Sequence, residues 1–160
     1  MMHLLLMRHA KSSWDQPGLD DHDRPLNERG LRAAPRMARH LQDQGLQPDR
    51  IVCSTAKRAE QTASLVGKTC GVIPIQNEDL YLADPETWRE ILGTQPRSKC
   101  LLIVGHNFGI EEFIEELAGD YHRMPTAAVA HFHVTQAEGP LSKENLDFVT
   151  VWRPKELPGH

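Results

Sequence analysis

Four apolar residues, Leu4-Leu5-Leu6-Met7, run without a break into Arg8-His9-Ala10-Lys11-Ser12-Ser13. A short continuous apolar run closed by polar residues predicts a strand buried on both faces, and such strands belong to sheets covered by helices. Cys100-Leu101-Leu102-Ile103-Val104 repeats the pattern and runs into Gly105-His106-Asn107. In an open α/β sheet the ligand crevice lies beyond the carboxyl ends of the strands. Arg8, His9 and His106 fall at those ends. Arg8 and Lys11 beside two serines suit an anion, with a solvated basic loop as the plain alternative.

The segments between the two runs supply helices and further strands. Asn27 can cap a helix beginning at Glu28, with Leu31, Ala34, Ala38 and Leu41 on one face, a kink at Pro35 and a stop at Gly45. Ile51-Val52-Cys53 reads as a strand ending in Ser54-Thr55, either of which can cap a helix over 56–68. Arg58 in the first turn of that helix opposes its dipole, a placement that makes sense if an anion binds between them. A strand is expected over 72–76, and a helix from Asp84-Pro85 to Gly93. Another helix follows Asn107, with Ile110, Phe113, Ile114 and Leu117 inward and Gly119 as its stop. Segments 127–135 and 146–152 alternate as two last strands, and residues 154–160 read as a frayed tail after one domain over 1–153. The order predicts a three-layer α/β/α sandwich with a mostly parallel sheet.

Composition narrows the function classes. Lys plus Arg is 18 against 22 acidic residues, a net charge of -4, so bulk charge points neither to nucleic acid nor to a membrane surface. No apolar run reaches the roughly 18 residues of a membrane span, and Met1–Met7 leads into Arg8-His9 rather than a cleavage site. Cys53, Cys70 and Cys100 are odd in number and scattered, as in a cytoplasmic protein with reduced thiols.

Three strand ends thus present Arg8-His9, Ser54 with Arg58, and Gly105-His106. Two arginines offer planar donors to a phosphoryl group. A neutral imidazole can attack phosphorus, and flanking cations keep it neutral. A second histidine can donate to the phosphoryl oxygens. His131 and His133 share a strand face as a possible metal-ligand pair without a convincing third ligand, so no metal or cofactor is expected.

These stretches resemble a known family. Leu6-Met7-Arg8-His9-Ala10-Lys11-Ser12 is similar to the signature of the histidine phosphatase superfamily, also called phosphoglycerate-mutase-like. Ser54 to Thr62 resembles its second motif, Val104-Gly105-His106-Asn107 its third, and Arg24 to Gly30 its entry into the first helix. The resemblance implies His9 as a phosphorylated nucleophile, with Arg8, Arg58 and His106 completing the pocket. Lys11, Ser12, Ser54 and Asn107 would contact phosphate or substrate. Ala10 stands where many members have Gly. The short stretches between Arg58, Glu78 and His106 leave little room for a cap insertion, and the chain most resembles the SixA-type phosphohistidine phosphatases. An open site would admit a phosphorylated protein side chain in signal transduction. A small phosphomonoester is the alternative substrate, and a non-catalytic phosphoprotein-binding module the alternative role. Glu78 is the first candidate for general acid, then Asp79, then an acid of the 20–23 loop. Trp14 is a rim candidate, and Arg123 would matter only if the fold brought it to the site. Substrate and oligomeric state are not legible.

Overall fold

In the computed structural model, which describes residues 1–159, six strands form one sheet between two pairs of helices. The strands are β1 (Met2–Arg8), β2 (Arg50–Ser54), β3 (Ile75–Asn77), β4 (Cys100–Gly105), β5 (Val129–Val134) and β6 (Leu146–Trp152). The helices are α1 (Glu28–Asp43), α2 (Lys57–Cys70), α3 (Pro85–Gly93) and α4 (Gly109–Ala118). The sheet order is β3-β2-β4-β1-β5-β6. β3, β2, β4 and β1 pair in parallel, while β5 and β6 join antiparallel.

The alternation of strand side chains splits the interior into two cores. Leu4, Leu6, Leu101 and Ile103 point to one face and pack with Trp88, Ile91 and Leu92 of α3 and Ile110, Phe113 and Ile114 of α4. Leu5, Met7, Leu102 and Val104 point to the other and pack with Met37, Ala38 and Leu41 of α1 and Ala59, Ala63 and Val66 of α2. That is why both long runs are apolar throughout: neither face of β1 or β4 meets water. None of the described helices is long and apolar enough to cross a membrane.

Five local expectations shift. β3 forms over Ile75–Asn77 rather than 72–76, because the Val72 N–H closes α2 on the Gly67 carbonyl at 3.0 Å and Pro74 has no N–H to pair. Leu31 is 46% exposed, and Met37 takes the inward place on α1. α2 is capped by Ala56 rather than by Ser54 or Thr55. α4 begins after Phe108, and Asn107 instead accepts the Glu111 N–H through its side chain at 3.3 Å. The tail is docked: Leu157 is buried against the α1 core, and the Arg36 guanidinium donates to the carbonyls of Pro154, Leu157 and Pro158. The last tail residue, His160, lies outside the described residues.

Candidate active site

The parallel pairing aligns Arg8 at the end of β1 with Gly105 at the end of β4, and β2 ends beside them at Ser54. A cavity of about 290 Å³ opens at these ends. Arg8, His9, Lys11, Ser12, Arg58, His106 and Asn107 all line it, with Asp21, Arg24 and Thr126.

His9 is held from several sides. Its N–H donates to the Gly105 carbonyl at 3.0 Å, and its own carbonyl and that of Arg8 both accept the Ala127 N–H. The next N–H, of Ala10, donates to Thr62 Oγ1 at 3.0 Å, and that hydroxyl donates to the Arg58 carbonyl at 2.7 Å. One threonine on α2 thereby fixes the spacing between the His9 turn and Arg58. The imidazole Nδ1 lies 2.7 Å from the Ala10 carbonyl, which accepts only from a protonated nitrogen. Nδ1 therefore carries the proton and Nε2 keeps its lone pair. Burial lowers the pKa of His9 to about 4; the Ala10 bond opposes the shift, and Arg58, Arg8 and Arg24 add to it.

His106 is also neutral. Burial is the main cause, with His9 and Arg58 adding, and its pKa falls to about 3. Its ring centroid lies 5.2 Å from that of His9. Ser54 Oγ accepts the Ala56 N–H at 3.2 Å and lies 2.8 Å from His106 Nε2. A serine proton given to Nε2 puts the imidazole proton on Nδ1. That Nδ1 and Arg8 Nε are buried without a hydrogen-bond partner among the described residues. A buried guanidinium N–H and a buried imidazole nitrogen, both without partners beside one cavity, suit a tetrahedral oxyanion.

The surrounding loop orders the arginines. Arg58 donates to the Asp21 carbonyl at 2.7 Å and to its carboxylate at 2.9 Å. Arg24, buried beneath the Trp14 ring at 3.3 Å, donates to the same carboxylate at 2.8 Å and also holds Ser13 and Ser12. Tyr81 donates a third hydrogen bond to Asp21. Burial pushes the Asp21 pKa up, but Tyr81, Arg24 and Arg58 outweigh it and hold the carboxyl well below the usual carboxylate range.

Of the sequence candidates, Ser54 sits beneath the cavity as the partner of His106. Glu78 and Asp79 are exposed on the 3-10 turn Glu78–Leu80 and do not line the cavity; the carboxylate that does is Asp21, from the 20–23 loop. Trp14 stands 75% exposed at the rim. The sequence assigns no site role to Arg24, Thr62 or Tyr81. Arg24 and Thr62 lie at the ends of two of the resembling stretches, which was the available signal for them. Nothing local marks Tyr81. The histidine pair gains a third member: the ligand nitrogens of His3, His131 and His133 lie within 4.8 Å of one another, a set that could hold a transition metal. His3 lies near the opposite end of β1 from His9, about 20 Å away along an extended strand. A metal there would take no part in chemistry at His9.

Comparisons with known proteins agree with the fold. The profile of the histidine phosphatase superfamily (branch 1) matches residues 4–91. The chain is 32% identical over 144 residues to the uncharacterized protein Rv1276c of Mycobacterium tuberculosis, covering 80% of this chain and 87% of that one. It is 30% identical over 139 residues to the uncharacterized chloroplastic protein At3g52155 of Arabidopsis thaliana, covering 79% of this chain but only 64% of that protein's length. A structure from Agrobacterium tumefaciens, assigned as a phosphohistidine phosphatase SixA, superposes with a TM-score of 0.82 at 27% identity over 96% of this chain and 98% of that one. The protein histidine phosphatase SixA complexed with tungstate shares the fold, with a TM-score of 0.77 at 22% identity over 96% and 98% of the two chains.

Proposed function

We propose, for a chain that belongs to the histidine phosphatase superfamily, that it hydrolyses phosphorylated substrates through a phosphohistidine formed on His9. The observation that carries this reading is a neutral imidazole with its Nε2 lone pair free, in a cavity that Arg8, Arg58 and His106, with its unpartnered Nδ1, line together. Arg8 and Arg58 bind the phosphoryl oxygens. The Nε2 lone pair attacks phosphorus, and the bond to the leaving group breaks with its electron pair, which takes up a proton. His106 donates to the oxygen that gains charge. Water then attacks the phosphorus, the bond to Nε2 breaks, and phosphate departs. The donor set is guanidinium and imidazole, with its carboxylate already bonded to two arginines, so it meets a phosphoryl group directly and needs no bridging metal.

The preferred leaving group in this reading is the imidazole of a protein phosphohistidine, which places the enzyme in cytoplasmic signal transduction. The likeness to a structure assigned as a phosphohistidine phosphatase supports it. So does the acid–base chemistry: Asp21 is held ionised and cannot donate, Glu78 does not line the cavity, and a phosphoramidate nitrogen takes its proton from water more readily than an ester oxygen does. A small phosphomonoester is a second reading, favoured by a cationic cavity that shares Lys11 and Thr126 with the site.

The test compares wild type with His9→Ala, in chelator, on a phosphorylated histidine-carrier protein and on an aryl phosphate. Wild type is expected to release phosphate from both, with the protein preferred, and His9→Ala from neither. Full activity of His9→Ala, or loss of wild-type activity with chelator alone, would reject the mechanism.

A further inference from the structure

A second cavity, larger than that at His9, has no part in the chemistry above. It opens over about 480 Å³ between α1, the 123–126 segment and the docked tail. Seven cationic side chains and one carboxylate line it, in a protein whose net charge is -4. The carboxylate, Glu156, is shared between Arg153 at 3.3 Å and Arg123 at 4.0 Å. Arg36 is occupied by the tail carbonyls. Lys11, Arg29, Arg32 and Lys155 have no carboxylate within 4 Å among the described residues.

This concentration is unfavourable without a ligand. Arg29, Arg32 and Arg36 recur at spacings of three and four on α1, so like charges stack on one helix face. Arg29 also lies in the first turn, against the dipole. Ala33, Pro125 and Pro154 give the same cavity an apolar wall. The volume lies in the range of clefts that take small molecules, roughly 300–1,000 Å³. A protein face would need several hundred Å² of matching surface instead. Lys11 and Thr126 line this cavity and the His9 cavity alike, so the two are contiguous.

We propose that this cavity is a second anion site, which holds the distal phosphoryl group of a small organic molecule bearing two or more of them while another such group lies at His9. The arginines would take the distal phosphoryl oxygens, and the alanine and proline wall the carbon chain between. This rests on the phosphatase reading of His9 and deepens its small-molecule branch. A phosphoprotein could still be cleaved at His9, and a small polyphosphate would then compete with it.

The test uses a matched pair with one leaving-group chemistry, butane-1,4-diyl bisphosphate and butyl phosphate, on the full chain and on Arg32→Glu/Arg123→Glu. Both substituted side chains are exposed and lie outside the His9 cavity. In wild type the ratio of kcat/KM for the two substrates is expected to exceed about tenfold at low ionic strength, beyond the twofold statistical factor, and to fall as salt is added. In the variant it collapses to about two while kcat on butyl phosphate is unchanged. A wild-type ratio near two overturns the proposal, as does a high ratio that survives the charge reversal. If the variant loses only its activity on a phosphorylated carrier protein, the cavity is a protein-docking face and the proposal is wrong. If neither ester is cleaved, the phosphatase reading has failed on these esters, and calorimetry with inorganic tripolyphosphate decides the cavity by itself. Binding to wild type that the double variant loses supports the site, and absence of binding rejects it.

Discussion

His9 and His106 lie buried among Arg8, Arg24 and Arg58, and their pKa values fall to about 4 and about 3. The unfolded chain takes up protons on these rings near pH 6.5, whereas the native protein resists doing so until near pH 4. The contribution of the two rings to stability is therefore fully present above about pH 6.5 and is lost as the pH falls from there toward 4 for His9 and toward 3 for His106. We expect two imidazole Cε1 proton resonances to titrate with midpoints near 4 and 3, and His9→Asn to flatten part of the acid-side loss in a chemical unfolding series. Midpoints near 6.5 would contradict the neutral pair. Arg24 makes a second case at this scale. Its guanidinium ties Ser12, Ser13 and Asp21 into one unit, a planar fork that an ammonium cannot reproduce. Arg24→Lys is expected to lower kcat on an aryl phosphate by about tenfold or more, because the acceptors left without partners shift both Asp21 and Arg58. Unchanged kcat would show that the loop does not position Arg58.

At the scale of elements, the site depends on close approaches that only glycine allows. A Cβ on Gly30 in α1 would press on the Lys11 backbone carbonyl, and one on Gly109 in α4 would press on that of Ala83. Gly30→Ala should cost about 1–3 kcal/mol in chemical unfolding and lower kcat with it, since α1 would have to push the Ala10–Lys11 turn. Equal stability of Gly30→Ala would show that the contact relaxes freely. Thr62→Val keeps the volume but strips the acceptor of the Ala10 N–H and the donor to the Arg58 carbonyl. Most of the architecture that creates these contacts was legible. Two apolar runs predicted two central strands, and the helices between them followed from spacing and from caps such as Asn27, which accepts the Gly30 N–H at 2.9 Å. β3 slipped because the end of α2 claimed Val72. The same distinction holds in the site. Arg8, His9 and His106 announce themselves because they sit on strand ends, where the period of the strand aims them. Asp21, Arg24 and Tyr81 meet across separate loops, and no local pattern encodes a contact between residues sixty positions apart.

For the molecule as a whole, charge and the tail matter together. A net charge of -4 hides two cationic cavities that meet at Lys11 and Thr126. The tail walls the larger one: Pro154 and Lys155 line it, Leu157 anchors the segment in the α1 core, and Arg36 holds three of its carbonyls. The sequence hides this because Pro154, Pro158 and Gly159 have no periodicity, and one leucine among them gives no pattern to read. Ending the chain after Arg153 removes the buried Leu157, worth about 1.5–3 kcal/mol of apolar transfer, and leaves the Arg36 guanidinium to water. The truncated protein should therefore unfold at lower denaturant with a similar slope. None of the described residues among those deleted lines the His9 cavity, so kcat on an ester with one phosphoryl group, such as butyl phosphate, should not change. The preference for a bisphosphate should shrink, because one wall of the second cavity and its Lys155 are gone. Unaltered stability would mean that the tail is not docked in solution. Loss of kcat would mean that the two cavities are mechanically coupled through α1, and that the tail braces the catalytic turn as well as the neighbouring site.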